Sequence, residues 1–266
     1  MTNTKPANPQ VLVTGFGRFL SIDVNPSHEI ARRLPSSITT ASNTTALLFA
    51  PRKAIPAKYA EVLDLTNELI AVHAPDIVVH IGLAHDRTYF AVEKGAKKEG
   101  YNDVPDETRR VFTRGENKTA FGKEAARLDS TLDLAAATAA WQEEVQGLKL
   151  KQQSTAPGTQ PGKADEKPKE KEKGKGKQKL RAAAETSAKG AANGAQVDVR
   201  CSDDVGNYVC GLQYYASLLA MQKQTGKRDT VFLHVPYLKT LDDIEVGVRV
   251  TEALIRALVE VWALRK

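Results

Sequence analysis

Cysteine is scarce in this chain: two residues, Cys201 and Cys210, in 266. Two thiols give no disulfide framework. Long apolar runs are also missing, so no stretch reaches the length of a membrane span. Met1 to Pro9 is polar and lacks the apolar core of a secretory signal. A cytoplasmic protein without a membrane partner is therefore expected. Phosphate-binding glycine loops are absent too. Gly15-Phe16-Gly17 lacks the remaining glycine of the dinucleotide fingerprint, and no Gly-Lys-Ser/Thr occurs. His28, His73, His80 and His85 show no zinc-type spacing. His80, inside an apolar run, reads as a core residue.

Positive charge is plentiful but local. Residues 149–196 carry twelve Lys and Arg against five Asp and Glu, a net of +7, while the whole chain is +6. Everything outside this stretch therefore sums to −1, which removes the case for a basic nucleic-acid-binding face. The stretch holds three prolines, several glycines and no aromatic residue. It cannot bury enough apolar surface to offset its chain entropy, and it reads as a disordered, low-complexity insert. A weak contact with nucleic acid or another acidic surface is the one charge-driven interaction it leaves open. The expected organisation is a single α/β domain over residues 10–266, interrupted by this insert and preceded by a flexible terminus at 1–9.

Strands and helices alternate along the rest. Gln10 to Thr14, Ala46 to Ala50 and Asp76 to Leu83 read as strands, and Pro56 to His73 as an amphipathic helix. Asn25-Pro26-Ser27 supplies an N-cap and a first-turn proline for a helix to about Leu34. Thr88 to Val92 reads as a further strand, antiparallel to the one before it. Residues 97–118 look irregular, and Leu128 to Val145 looks helical. A last helix spans about Asp242 to Arg265, with Val246, Val250, Leu254, Leu258 and Trp262 at packing positions. This alternation argues for a mainly parallel sheet covered on both faces.

Chemistry concentrates in two segments. Gln196 to Arg200 reads as a strand, Tyr208 to about Gln224 as a helix stopped by Gly226, and Thr230 to Val235 as a strand ending near His234. If the two strands are parallel, the helix runs back between them. Its first turn, with Cys210, then meets His234 at the carboxyl edge, where open α/β sheets bind ligands. A helix N-terminus favours a thiolate and can hold an oxyanion. Packing remains the commoner fate of a lone cysteine, and Cys201 is assigned to it.

Four segments then fall into one pattern. Val11 to Phe19 with Asn25-Pro26-Ser27, His80 to Ala84 with Arg87 to Glu93, Ser202 to Cys210, and His234-Val235-Pro236-Tyr237 resemble, in order, the motifs of the pyroglutamyl-peptidase I family. The resemblance implies a phosphorylase- or hydrolase-like fold, a three-layer α/β/α sandwich with an open, mainly parallel sheet. It implies Cys210 as nucleophile, His234 as base and Glu93 as acidic partner. Substrate contacts fall on Phe16, Phe19, the Leu83 backbone, Tyr208 and Val209. The implied substrates are peptides with an N-terminal pyroglutamate, cleaved without metal or cofactor through a thioester.

Departures from the family pattern cluster at the pocket edge. Arg18 stands where proline is usual, Leu20-Ser21 and His85-Asp86 replace glycine pairs, Lys94 to Lys98 departs from the usual sequence after the glutamate, and Gly211 replaces asparagine after the nucleophile. Arg18 is expected to bring charge to a pocket for a neutral ring, and the lost glycines to restrict turn geometry. Two functions follow: an active pyroglutamyl peptidase, or a catalytically weak relative that binds partners, the insert touching an acidic one.

Overall fold

In the computed structural model, which describes residues 8–19, 22–151 and 194–265, the chain alternates strands and helices from its start. The elements are β1 (Gln10–Gly15), α1 (Pro26–Ala31), β2 (Ser37–Thr39), β3 (Thr45–Phe49), α2 (Tyr59–His73) and β4 (Ile77–Leu83). Next come β5 (Phe90–Glu93), β6 (Gly95–Lys97), α3 (Arg114–Phe121), β7 (Arg127–Asp129), α4 (Leu134–Glu144) and β8 (Lys149–Leu150). The chain resumes with β9 (Ala195–Gln196), β10 (Val199–Ser202), α5 (Val209–Thr225), β11 (Thr230–Val235) and α6 (Leu241–Ala263).

Seven strands form one sheet in the order β10-β5-β11-β4-β1-β3-β2. Its centre, β11-β4-β1-β3, is parallel, while β2 at one edge pairs antiparallel. Alternation along the strands sets the layers. Val79 and Ile81 of β4 and Val231, Leu233 and Val235 of β11 join one core with α1, α4 and α6. Phe232 of β11 joins the opposite core, with residues of α2 and α5. The result is the expected three-layer α/β/α sandwich with a mainly parallel sheet. Among the described residues, no helix is long and apolar enough to cross a membrane.

Most expected elements are present, and the differences have physical causes. β5 opposes β4 in direction, as expected, but β11 lies between them. β10 pairs parallel with β5, and β5 antiparallel with β11, so β10 runs opposite to β11. The condition that these two strands be parallel therefore fails. The conclusion drawn from it survives, because α5 still returns antiparallel to β11 and starts at that strand's carboxyl end.

The stretch at 97–118 is not wholly irregular. Thr113 caps α3 from its hydroxyl to the Glu116 N-H, and the Glu116 carboxylate accepts from the Thr113 N-H at 2.8 Å. Leu128 lies in β7 rather than a helix, and α4 begins only after its N-cap Asp133.

Of the Lys-rich insert, residues 152–193 lie outside the described residues, as do 1–7. The flanks of the insert do not: Lys149–Leu150 and Ala195–Gln196 pair as a short antiparallel ribbon. The Lys151 N-H donates to Asp243 at 2.7 Å, which ties this ribbon to α6. Pro9, assigned to a flexible terminus, is held at the sheet by the Leu47 N-H, which donates to its carbonyl at 2.9 Å.

Candidate active site

Sheet register builds the site. His80 and Gly82 of β4 pair with Phe232 and His234 of β11, so all four present the α5 face. On the other side of β11, Phe232 pairs with Glu93 and His234 with Ala91. Glu93 thus stands one register step from His234 on the same face. Glu93 is fully buried and is not a surface carboxylate.

Glu93 Oε1 accepts from His234 Nδ1 at 2.8 Å and from Arg87 Nη1 at 2.7 Å. The Tyr214 hydroxyl donates to the Glu93 carbonyl at 2.9 Å and fixes the backbone beneath it. Burial alone would push the Glu93 carboxyl up. The His234 hydrogen bond and charge outweigh burial, with Ser202 and Arg87 assisting, and the group sits below its usual range. An ionised Glu93 can only accept, so the proton of a neutral His234 belongs on Nδ1 and Nε2 carries a lone pair. Ser202 pairs with Glu93 in register and favours its charge without a well-formed hydrogen bond, since Oε2 has no partner of normal geometry among the described residues.

Cys210 lies in the first turn of α5, whose N-cap Tyr208 makes no side-chain capping bond. Backbone N-H groups of that turn are therefore not claimed by a cap. A methyl group on Gly82 would sit 3.1 Å from Cys210 Sγ and 2.8 Å from the Phe232 ring. Because Gly82 pairs with His234, this contact places the thiol beside the imidazole's strand. Cys210 is partly open to solvent yet densely surrounded. Burial, with the Glu93 charge adding to it, pushes its thiol up to about 12. The helix start favours a thiolate, as expected, but removing water outweighs it and holds the Cys210 thiol above its ordinary value.

Aromatic residues line the approach. Phe16, just after β1, lies 6.5 Å from Phe232 between ring centres, and Phe19 lies 5.5 Å from Tyr208. Tyr208 in turn meets Tyr59 of α2 edge-on at 5.8 Å. The loop carrying both phenylalanines is held by α1: the Phe16 N-H donates to Ser27 Oγ at 3.0 Å, and Asn25 Nδ2 donates to the Gly17 carbonyl at 2.8 Å. Phe16 and Val209 are buried, while Phe19, Tyr208 and Leu83 are partly exposed. Leu83 ends β4 opposite Val235. Two clefts, of about 360 Å³ beside α4 and β9 and about 240 Å³ beside α3, contain none of these site residues.

The altered rim is accommodated locally. Arg18 points into solvent and pairs with Asp23 at 2.7 Å, with 75% of its side chain exposed, so the expected charge in the pocket is absent. Neither His85 nor Asp86 needs a positive φ, and their turn does not require glycine. At Gly211 a Cβ would lie 2.4 Å from the Gly206 carbonyl oxygen and 3.0 Å from the Tyr101 ring. The Gly206 carbonyl, with Tyr101 beside it, fills that space, which explains the small residue after Cys210. Leu20 and Ser21 lie outside the described residues. Residue types alone did not single out Tyr59, Tyr101 and Gly82, since nothing local sets them apart; Arg87 stood inside a quoted motif without a role.

The family model described as pyroglutamyl peptidase matches residues 9–143, half of the chain. The chain belongs to the pyroglutamyl peptidase family. Curated relatives include the pyrrolidone-carboxylate peptidase of Bacillus subtilis, 35% identical over 97 residues, which are 36% of this chain and 42% of that protein. The Thermosipho africanus protein of that name is 33% identical over 117 residues, 41% of this chain and 52% of its own length. The matched stretches thus span about half the length of these relatives. Among solved structures, a mutant pyrrolidone carboxyl peptidase of Pyrococcus furiosus superposes with a TM-score of 0.63 at 18% identity, covering 94% of this chain and 98% of its own. The Thermococcus litoralis enzyme gives 0.64 at 16%, covering 97% and 96%. Both share the fold. The family-model match includes Phe16, Phe19, Leu83 and Glu93 but stops before Cys210 and His234, so those two rest on geometry and on their local motifs.

Proposed function

We propose that this chain is a cysteine-type pyroglutamyl peptidase, removing N-terminal pyroglutamate from peptides through Cys210, His234 and Glu93. The observation that carries the reading is the His234 Nδ1 hydrogen bond to buried Glu93 at 2.8 Å, on the same sheet face as the Cys210 thiol. Such a carboxylate orients the imidazole and stabilises its protonated form. Substrate binding excludes water; His234 Nε2 takes the thiol proton, and Sγ attacks the carbonyl that joins the lactam residue to the next one. First-turn N-H groups of α5 hold the oxyanion. His234 returns the proton to the leaving amine, and water then hydrolyses the thioester, with His234 again as base.

A small, flat, uncharged ring suits the aromatic approach. Phe16, Phe19 and Tyr208 supply apolar faces, and backbone groups at Leu83 and Val209 pair with the lactam. Arg18, turned outward, leaves that environment neutral.

The test is release of a coumarin fluorophore from pyroglutamyl-aminomethylcoumarin by the purified chain, beside Cys210→Ala and Cys201→Ala. Turnover retained in Cys201→Ala and lost in Cys210→Ala is expected. No turnover by the unaltered chain anywhere between about pH 6 and 9, where a Cys/His pair operates, would refute the proposal.

A further inference from the structure

Arg87 sits in the turn after β4, outside the proposed set of nucleophile, base and acid. One guanidinium nitrogen donates to Glu93 Oε1 at 2.7 Å, and the other donates to the Asp204 carbonyl at 2.7 Å. Asp204 belongs to the loop that leads from β10 into α5. Its own N-H donates to Ser202 Oγ at 3.2 Å and its carboxylate accepts from the Gly206 N-H at 3.1 Å. Gly206 then turns the chain with φ +77° into the first turn of α5. The guanidinium lies 5.7 Å above the Tyr89 ring, and only 16% of the side chain is exposed.

We propose that Arg87 is a positioning residue that locks the carboxylate behind His234 to the loop that delivers Cys210. The inference rests on the function proposed above and assigns that site a fourth part. A planar fork can hold two acceptors on separate chain segments at once, while a single ammonium cannot reproduce that geometry. Without Arg87, Oε1 keeps, among the described residues, only the His234 bond, and the Asp204 carbonyl is released. Other groups face the thiol as well: Glu93 from β5, Tyr59 from α2 and Tyr208 at the start of its own helix, with Arg87 the cation that opposes Glu93.

The test uses the full chain with Arg87→Gln and Arg87→Lys. Two readouts are taken: steady-state kinetics on the coumarin amide, and the rate of Cys210 alkylation by iodoacetamide at one pH, resolved by peptide mass spectrometry. Arg87→Gln is expected to lower kcat at least about 10-fold with KM changed less than about 3-fold. Its Cys210 is expected to alkylate at least about 3-fold more slowly, since the opposing positive charge is gone. Arg87→Lys is expected to recover the alkylation rate while kcat stays depressed. Near-UV circular dichroism checks folding, and if Arg87→Gln does not fold, the kcat of Arg87→Lys carries the decision. Wild-type kcat in Arg87→Lys would overturn the fork, and unchanged alkylation in Arg87→Gln would overturn the link to the nucleophile. Failure of the unaltered chain to release pyroglutamate would sink the proposed substrate, whereas the alkylation comparison is read without any substrate.

Discussion

Glu93 faces Phe232 across the antiparallel β5-β11 pair, and this one-step offset from His234 lets its carboxylate meet Nδ1 at 2.8 Å. Had β5 been parallel to β11, the carboxylate would have followed a different register. Glu93→Gln keeps the size of the side chain but not its chemistry. The amide offers one oxygen where two donors, His234 and Arg87, now converge, and it turns an N-H₂ toward buried surroundings. We expect kcat to fall by about 10²- to 10⁴-fold, as when the acid of a hydrolase triad is neutralised. Thermal unfolding should show a loss of about 2–4 kcal/mol, since two buried donors lose a charged acceptor. A kcat within threefold of the unaltered chain would remove Glu93 from the mechanism.

The resting thiol gives a second prediction. Burial and the Glu93 charge raise Cys210 to about 12, so the thiolate fraction should keep rising throughout the accessible pH range. The alkylation rate of Cys210 should therefore increase about tenfold per pH unit from pH 7 to 9.5, with no plateau. A plateau near neutral pH would mean a preformed thiolate-imidazolium pair, contrary to the geometry described. Cys201 is also raised by burial, so the two sites must be followed as separate peptides.

The parts of this site that were legible in the sequence are those set by local geometry. Cys210 and His234 could be paired because a helix returning to the next strand brings its first turn to that strand's carboxyl end. The direction of β10 could not, because it depends on pairing with β5, more than a hundred positions earlier in the chain. Gly82 and Tyr59 were illegible for the same reason: each matters only through a neighbour delivered by another strand or helix. Arg87 and Glu93 lay together in one motif, but nothing in their spacing shows that the arginine also reaches Asp204. The start of α3 is different, since Thr113 and Glu116 spell a capping box that can be read without coordinates. Its surroundings of charge and proline hid the signal.

Gly82 supplies a packing test. A Cβ there would lie 2.8 Å from the Phe232 ring, which is wedged beneath His234, and 3.1 Å from Cys210 Sγ. Ring and sulfur must both give way for Gly82→Ala to be accommodated. Overpacking of this kind costs about 1–3 kcal/mol in stability. Displacing the nucleophile by a few tenths of an ångström should cost more in rate than in stability, at least about 30-fold in kcat. Near-normal turnover from a folded Gly82→Ala chain would show that the thiol does not work from this position.

His80 makes the fold sensitive to acid without taking part in the proposed chemistry. Its Nδ1 lies 2.7 Å from Thr14 Oγ1, and Nε2 is buried with no hydrogen-bond partner among the described residues. Burial lowers it to about 3. In the unfolded chain it titrates near 6.5, so below that pH the unfolded state binds a proton that the folded state refuses. Stability should therefore fall as pH drops from about 6.5 toward 3, at up to about 1.4 kcal/mol per pH unit from this group. Glu93 acts in the same direction but lower: held below its ordinary value, it stabilises the fold above the usual carboxylate range and loses that contribution as pH falls through its folded value. His80→Gln removes the first component alone. Urea unfolding at pH 7, 6, 5 and 4 should show the stability of the wild-type chain, taken relative to His80→Gln, falling steadily on acidification. Parallel curves across this range would mean that His80 takes up a proton in the folded protein, and that its burial is not as complete as the structure places it.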